Sequence, residues 1–314
     1  MIRRPPRSTL SSSSAASDVY KRQEEEPEGK EIETESRDNA DGEVTDHESN
    51  LETVEPTKFE DKAPVEGGGF GEIQEKFEEH IEVDYAFQEL SDIPVGFSMP
   101  KNRKTPWGTA HAVRAARKLI HTPFAVINAD DFYGRDAYIQ TYKFLYPASA
   151  GKGSPSSCCL VAYSLVNTLS DHGGVNRGIT SQTAGHQLEL VEEVTGIMRS
   201  AVGEIKGLAL DGSERVLGEN TSVSMNFWGF SPLIFDQMQD QFSQFLASSE
   251  NPDTAEWHIP TLVDLLLKKG DATCQVISTN GNWFGVTHRE DKPMVMNAIG
   301  SLVTQGEYGS PLWE

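Results

Sequence analysis

The chain has 314 residues, 37% of them hydrophobic, and a formal net charge of −21. That length suits one large domain or two ordinary ones, and the acidic balance argues against general affinity for nucleic acid, whose phosphates call for Lys and Arg. The charge is unevenly placed: residues 24–66 hold seventeen acidic and four basic residues, 4 − 17 = −13, more than half of the total.

In chain order, residues 1–23 are basic and Ser-rich. They are similar in composition to an organelle transit peptide, and also to a peptide that arises where sequencing adapter is read as coding sequence. The second reading is adopted, so 1–23 are set aside as an assembly artefact and the chain is expected to be N-terminally incomplete. Residues 24–66 have too little apolar surface to offset their conformational entropy and are expected to be disordered. The Gly-rich run at 66–72 reads as a linker. An ordered α/β domain is expected over 70–314, starting with a short amphipathic helix at 71–80. Ile81, Val83, Tyr85 and Phe87 alternate with polar residues and predict a strand over 81–90. After a Pro- and Gly-rich loop, Thr109 is placed to cap a helix over 110–120. A strand at 124–129, a helix at 136–147 and a continuous apolar strand at 158–166 follow. Further strands are expected at 186–194, 222–232 and 273–287, with helices at 234–249 and 259–270. Strands alternating with helices predict an α/β fold, a mixed sheet layered by helices.

Three cysteines, Cys158, Cys159 and Cys274, match no metal-ligand spacing and no even disulfide set. Reduced thiols in a cytoplasmic compartment are the simplest reading. No apolar run approaches the ~20 residues that span a bilayer, so no membrane partner is expected.

The apolar run Phe124–Ala125–Val126–Ile127 ends at Asn128–Ala129–Asp130–Asp131. Ligands of open α/β sheets sit at the carboxyl ends of strands, and two hard oxygen ligands suit Mg²⁺ bound together with substrate phosphates. The alternative is a strand-ending Asx turn. Gly108–Thr109 open a helix, where close backbone approach and free N–H groups can meet a ligand. Gln88 can read a nucleobase edge with one donor and one acceptor, or can satisfy loop backbone.

The segments FQEL, PWGTAHAV, PFAVINADDFYG, SVSMNFWGF and NWFGVTHREDKP, in this order, resemble the sugar nucleotidyltransferases, also called nucleoside-diphosphate-sugar pyrophosphorylases. The resemblance covers roughly residue 70 to the C-terminus. It implies a Rossmann-like mixed sheet of the nucleotide-diphospho-sugar transferase type. It also implies Mg²⁺-dependent attack of a sugar 1-phosphate on the α-phosphorus of a nucleoside triphosphate, with release of pyrophosphate. By motif position it implies nucleotide-binding roles for Gln88, Gly108, Thr109 and Asp131, a metal and catalytic role for Asp130, and sugar-binding roles for Glu193 and Asn226.

Three departures stand beside it. The family's Arg-containing, Gly-rich triphosphate loop is not found. Val194 stands where a Glu-Lys-Pro motif has Lys. Gly285 stands where many members have a second metal-binding Asp, with Asp291 nearby in sequence. Two other readings therefore stay open: a catalytically degenerate module that binds a nucleotide or sugar phosphate for regulation, and a glycosyltransferase of the related fold.

Overall fold

The computed structural model describes residues 80–146, 156–170, 173–285 and 292–311. The acidic segment, the Gly-rich run, all but the last residue of the helix expected at 71–80, and Asp291 lie outside the described residues. The chain divides into two units, a smaller one over 21–83 and a larger one that holds 84–314. Of the smaller unit only 80–83 are described, without helix or strand.

Ten described strands are β1 Phe124–Val126, β2 Asp131–Phe132, β3 Ser156–Ser164, β4 Val175–Gln182, β5 Leu188–Arg199, β6 Ile205–Ala209, β7 Glu214–Leu217, β8 Ser222–Phe230, β9 Ala272–Ser278 and β10 Phe284–Gly285. The described α-helices are α1 Thr109–Ala115, α2 Arg135–Leu145, α3 Ile234–Ser248, α4 Ile259–Lys269 and α5 Lys292–Thr304. The large sheet runs β7-β6-β5-β4-β8-β3-β9, with β1 also on β8, while β2 and β10 pair separately. Only β3 and β9 pair in parallel; the other pairings are antiparallel. The mixed sheet flanked by helices is thus an α/β architecture.

The apolar run of β3 is buried along nearly its whole length, as expected of a strand covered on both faces. One face packs on α1, α3 and α4 through Trp107, Trp228, Phe242, Trp257 and Leu262; the other carries Tyr133, Ala137, Tyr163, Val194 and Phe227. In α3, Ile234, Met238, Gln241 and Phe242 are buried, a stripe at helical spacing. Gly270 ends α4 in the left-handed conformation at φ 73°.

Two expectations are corrected. No strand forms over 81–90, and Ile81, Tyr85 and Phe87 are exposed. Alternation alone makes no strand; pairing with a neighbour does, and no described strand pairs with this stretch. Thr109 does not cap its own helix. Gly108 is the N-cap, and the Thr109 hydroxyl accepts the Ile259 N–H at 3.2 Å, at the start of α4.

One feature of the sheet positions the site. One edge of β8 follows β3, but its other edge is divided between two strands. β1 pairs with Trp228, Gly229 and Phe230, whereas β4 pairs with Val223 and Ser224. Met225 and Asn226 between them have no partner on β3 either, because the register jumps from Phe227 to Ser224. Such a bulge re-aims the chain locally, and it leaves a gap into which the end of β1 and the start of β4 both run.

Candidate functional site

The turn after β1 is fastened to this gap by one buried hydroxyl. Tyr133, 1% exposed, places its Oη 2.8 Å from the Met225 carbonyl, 3.0 Å from Asp131 Oδ2, and 3.1 Å from the Asn128 N–H, which donates to it. Asn128 Nδ2 also donates to Asp131 Oδ2 at 2.9 Å. The hydroxyl has a single proton. It can therefore serve only one of Met225 O and Asp131 Oδ2 at a time. Burial raises the Asp131 pKa, helped by the charge of Asp130 and opposed by the Asn128 and Tyr133 hydrogen bonds. The Trp283 indole N–H also faces Asp131 and lowers its pKa, but does not close to hydrogen-bond geometry.

Asp130 differs from its neighbour. It is exposed and makes no hydrogen bond or ion pair among the described residues. Its carboxylate therefore does not anchor the turn. Asn226 sits in the bulge at φ 60°, a conformation Asn tolerates better than most residues. Its N–H donates to Ser224 Oγ at 3.3 Å, and its side-chain amide has no partner among the described residues. A strained backbone of this kind persists only where its surroundings fix it.

The second strand of the small sheet closes the site from above. Gly285 pairs with Asp131, and Phe284 stacks on Phe132 with centroids 5.5 Å apart. A Cβ at 285 would lie 2.7 Å from Trp283 Cη2 and 3.2 Å from Asp131 Oδ1. Position 285, where the resemblance leads one to expect a second carboxylate, thus lies directly across from Asp131, but the Trp283 ring fills its side-chain space.

The other sequence-derived residues form a separate group. Gln88 Nε2 donates to Gly108 O at 2.9 Å and contacts His111 Nδ1 at 3.2 Å. His111 is fully buried, and its Nε2 donates to the Asp92 carbonyl at 2.8 Å. Burial pushes the His111 pKa down, only partly offset by Asp92, so the ring is neutral at pH 7 with an acceptor at Nδ1. Both amide protons of Gln88 are therefore spent on the protein, and only its carbonyl oxygen is left to meet a ligand. Asp92 is held by Arg117 at 2.7 and 2.8 Å and by Arg114 at 3.0 Å. Burial raises the Asp92 pKa, but the two arginines outweigh it and lower the net value.

Gly108 adopts φ 97°, and a Cβ there would lie 2.6 Å from Trp257 O. The same carbonyl accepts the Ala110 N–H at 3.0 Å, so a first-turn donor of α1 is already occupied. Glu193 lies on β5 across from Gly178. It alternates with Val194 and so faces the side of Val191, away from Tyr133 and Trp283. No hydrogen bond or ion pair among the described residues joins the Gln88–Gly108 group to the Asp130–Asp131 turn.

Tyr133, Asn128, Trp283 and Arg177 were not singled out by the sequence. Tyr133 and Asn128 were within reach, since both flank the paired carboxylates. Trp283 and Arg177 join the site only through strand register.

No protein-family profile matches the chain, and no curated protein matches it. Among solved structures it is similar to HddC from Yersinia pseudotuberculosis, also solved in complex with GMP-PN, at 13% identity and a TM-score of 0.35 over 63% of this chain and 64% of that one. It is also similar to a UDP-glucose pyrophosphorylase from Acinetobacter baumanii, at 11% identity and a TM-score of 0.37 over 64% of this chain and 58% of that one. The chain spans less than two thirds of the length of each.

Proposed function

We propose that the gap in the edge of β8 is the substrate site of a sugar nucleotidyltransferase-type domain. It would join a sugar 1-phosphate to the α-phosphoryl group of a nucleoside triphosphate and release pyrophosphate. The observation that carries this reading is the turn Asn128–Asp131, pinned by Tyr133 to the bulge that carries Asn226, with an exposed Asp130 that has no partner among the described residues.

The donor chemistry fits Mg²⁺, which takes one or two carboxylates and completes its shell with water and phosphate oxygens. Among the described residues no group of three His, Cys, Asp or Glu could hold a metal ion, so the protein's share would be Asp130, with Asp131 behind it. There the ion supplies neutralisation of phosphate charge. Phosphoryl-type transfer depends on positioning and charge more than on a protein nucleophile. Tyr133 and Asn128 hold Asp131 in place and thereby orient Asp130. Asn226 offers an open amide to sugar hydroxyls. Gln88 offers an acceptor to a base N–H, its amide orientation fixed by Gly108 and His111.

A second reading has its own support. Val194 is fully buried and position 285 has no carboxylate, which favours a module that binds a nucleotide or sugar phosphate without turnover. Pyrophosphate release by the full chain, across nucleoside triphosphates, sugar 1-phosphates and Mg²⁺, separates the two. Slow, Mg²⁺-dependent release with one substrate pair supports the enzyme. Binding without release supports the module, and neither binding nor release refutes both.

A further inference from the structure

Arg177, on β4, is the cross-strand partner of Val194 on β5. Directly opposed residues of an antiparallel pair share a sheet face, with Cβ atoms about 5 Å apart. Val194 is fully buried in the apolar cluster with Tyr133 and Phe227, so at this position β5 delivers no cation to the face. The neighbouring strand does, at the paired position.

The guanidinium is fixed on three sides. Nε donates to Thr168 Oγ1 at 3.2 Å, Nη1 to Asn176 O at 2.7 Å, and Nη2 to Thr168 O. Its face lies over the Trp283 ring, 5.1 Å from the centroid. Three of its five N–H groups are used, which leaves one on each Nη. No Asp or Glu among the described residues forms an ion pair with it. The group is substantially desolvated: burial lowers its pKa to about 10, opposed by the charge of Asp131, so it remains a cation at neutral pH.

A desolvated charge without a counter-ion is unfavourable. Here the carbonyls that hold the fork satisfy hydrogen bonds but supply no negative charge. The position gives the reason for keeping it. Gly178 is the first residue of β4 to pair with β8, at Ser224. Arg177 is the residue before it, beside the unpaired Met225 and Asn226. It enters the gap from β4 as Asn128–Asp131 enter from β1, and the Trp283 ring that it overlies borders the same space at position 285 as Asp131 Oδ1. One open N–H on each Nη, in a single plane, matches two oxygens of a phosphate.

We propose that Arg177 is a phosphoryl-oxygen ligand that supplies, from β4, the positive charge that Val194 cannot give to a sugar 1-phosphate bound at the gap. The inference rests on the reading of this gap as the substrate site. A nucleotide phosphate presents the same oxygens, so the test compares both.

The experiment is calorimetric titration of the full chain with inorganic phosphate, glucose 1-phosphate, mannose 1-phosphate and Mg²⁺ with nucleoside triphosphates. Wild type, Arg177→Gln and Arg177→Lys are compared, each with a thermal melt. Phosphate and at least one sugar 1-phosphate should bind wild type and weaken about 10-fold or more in Arg177→Gln, the worth of a charge-assisted hydrogen bond. Arg177→Lys, which keeps the charge and loses the fork, should recover part of the loss. Nucleotide affinity should move by less than about 3-fold. Loss confined to nucleotides overturns the sugar-phosphate assignment and moves the same ligand role to the triphosphate. If the Gln variant does not fold, the Lys variant decides, and phosphate affinity equal to wild type overturns the proposal. So does unchanged phosphate affinity in a folded Gln variant, which leaves Arg177 as a clip on the Thr168 turn, and so does absence of phosphate binding by wild type. Phosphate binding that depends on Arg177, without any nucleotide binding, would defeat the nucleotidyltransferase reading and keep the anion site.

Discussion

Tyr133→Phe isolates the hydroxyl that ties the acidic turn to the bulge. The ring and its packing against Phe227, with centroids 5.0 Å apart, are kept. What is lost is the partner of three groups: Met225 O, Asp131 Oδ2 and the Asn128 N–H. The Met225 contact is buried, so its unsatisfied carbonyl costs about 1–3 kcal/mol. The Asn128 N–H is partly reached by water and adds less, and Asp131 keeps its bond from Asn128 Nδ2. A loss of about 2–3 kcal/mol follows, or about 5–10 °C in Tm for a domain of this size. Urea unfolding and thermal melts measure it, with and without Mg²⁺–nucleotide. The bulge and turn should loosen together, so the ligand-induced rise in Tm should also shrink. A loss below about 0.5 kcal/mol, the scale of an ordinary surface substitution, with the ligand response intact, would refute the idea that this hydroxyl organises the site.

Gly108→Ala should lower stability by about 3 kcal/mol or more, because the new Cβ meets the Trp257 backbone at 2.6 Å in a left-handed conformation; a melt within 2 °C of wild type would contradict this. Asp92 and Asp131 should show opposite pH slopes. Asp92 has a lowered pKa, so its stabilisation is present above the ordinary carboxylate range and lost as pH falls through its folded value; Asp92→Asn should destabilise at pH 7 and approach wild type in acid. Asp131 has a raised pKa, so its contribution is full below the ordinary range and lost as pH rises through its folded value; Asp131→Asn should be stabilising at pH 7, and the gain should vanish near pH 4. Urea unfolding in chelator from about pH 2 to about pH 8 reads both slopes, and slopes of the same sign would overturn the assignment.

The parts of the fold that declared themselves in the sequence are those whose burial is nearly complete. The run at β3 has no polar interruption, and α3 and α4 carry apolar stripes with a glycine stop after α4. Strands β4, β6 and β7 were missed because apolar and polar residues are mixed in them without a clear period, and pairing rather than composition makes them strands. The opposite error at 81–90 has the same root, a period-two pattern without a neighbour to pair with. For the site, an apolar run broken by adjacent carboxylates was readable from the abrupt change of residue type, although β1 itself is only partly buried. That Asp131 turns inward while Asp130 stays open was not readable, since it depends on a tyrosine reaching a carbonyl 92 residues away. The role of Arg177 was hidden for a similar reason: only the register of β4 against β5 sets it across from Val194.

The most direct test of the central claim is the Mg²⁺–nucleotide shift in Tm for wild type and Asp130→Asn. A ligand held at about 100 times its Kd adds about 2.7 kcal/mol of stability, about 5–10 °C for this domain. Asp130 has no partner among the described residues to lose, and the substitution removes a charge beside Asp131, so without metal the variant should melt at or slightly above wild type. With Mg²⁺ and nucleotide its shift should be largely abolished, because the phosphates lose the carboxylate that shares their cation. A variant that melts lower by about 1 kcal/mol without ligand, the typical worth of a hydrogen bond, yet keeps the full shift would contradict the account and return Asp130 to a turn.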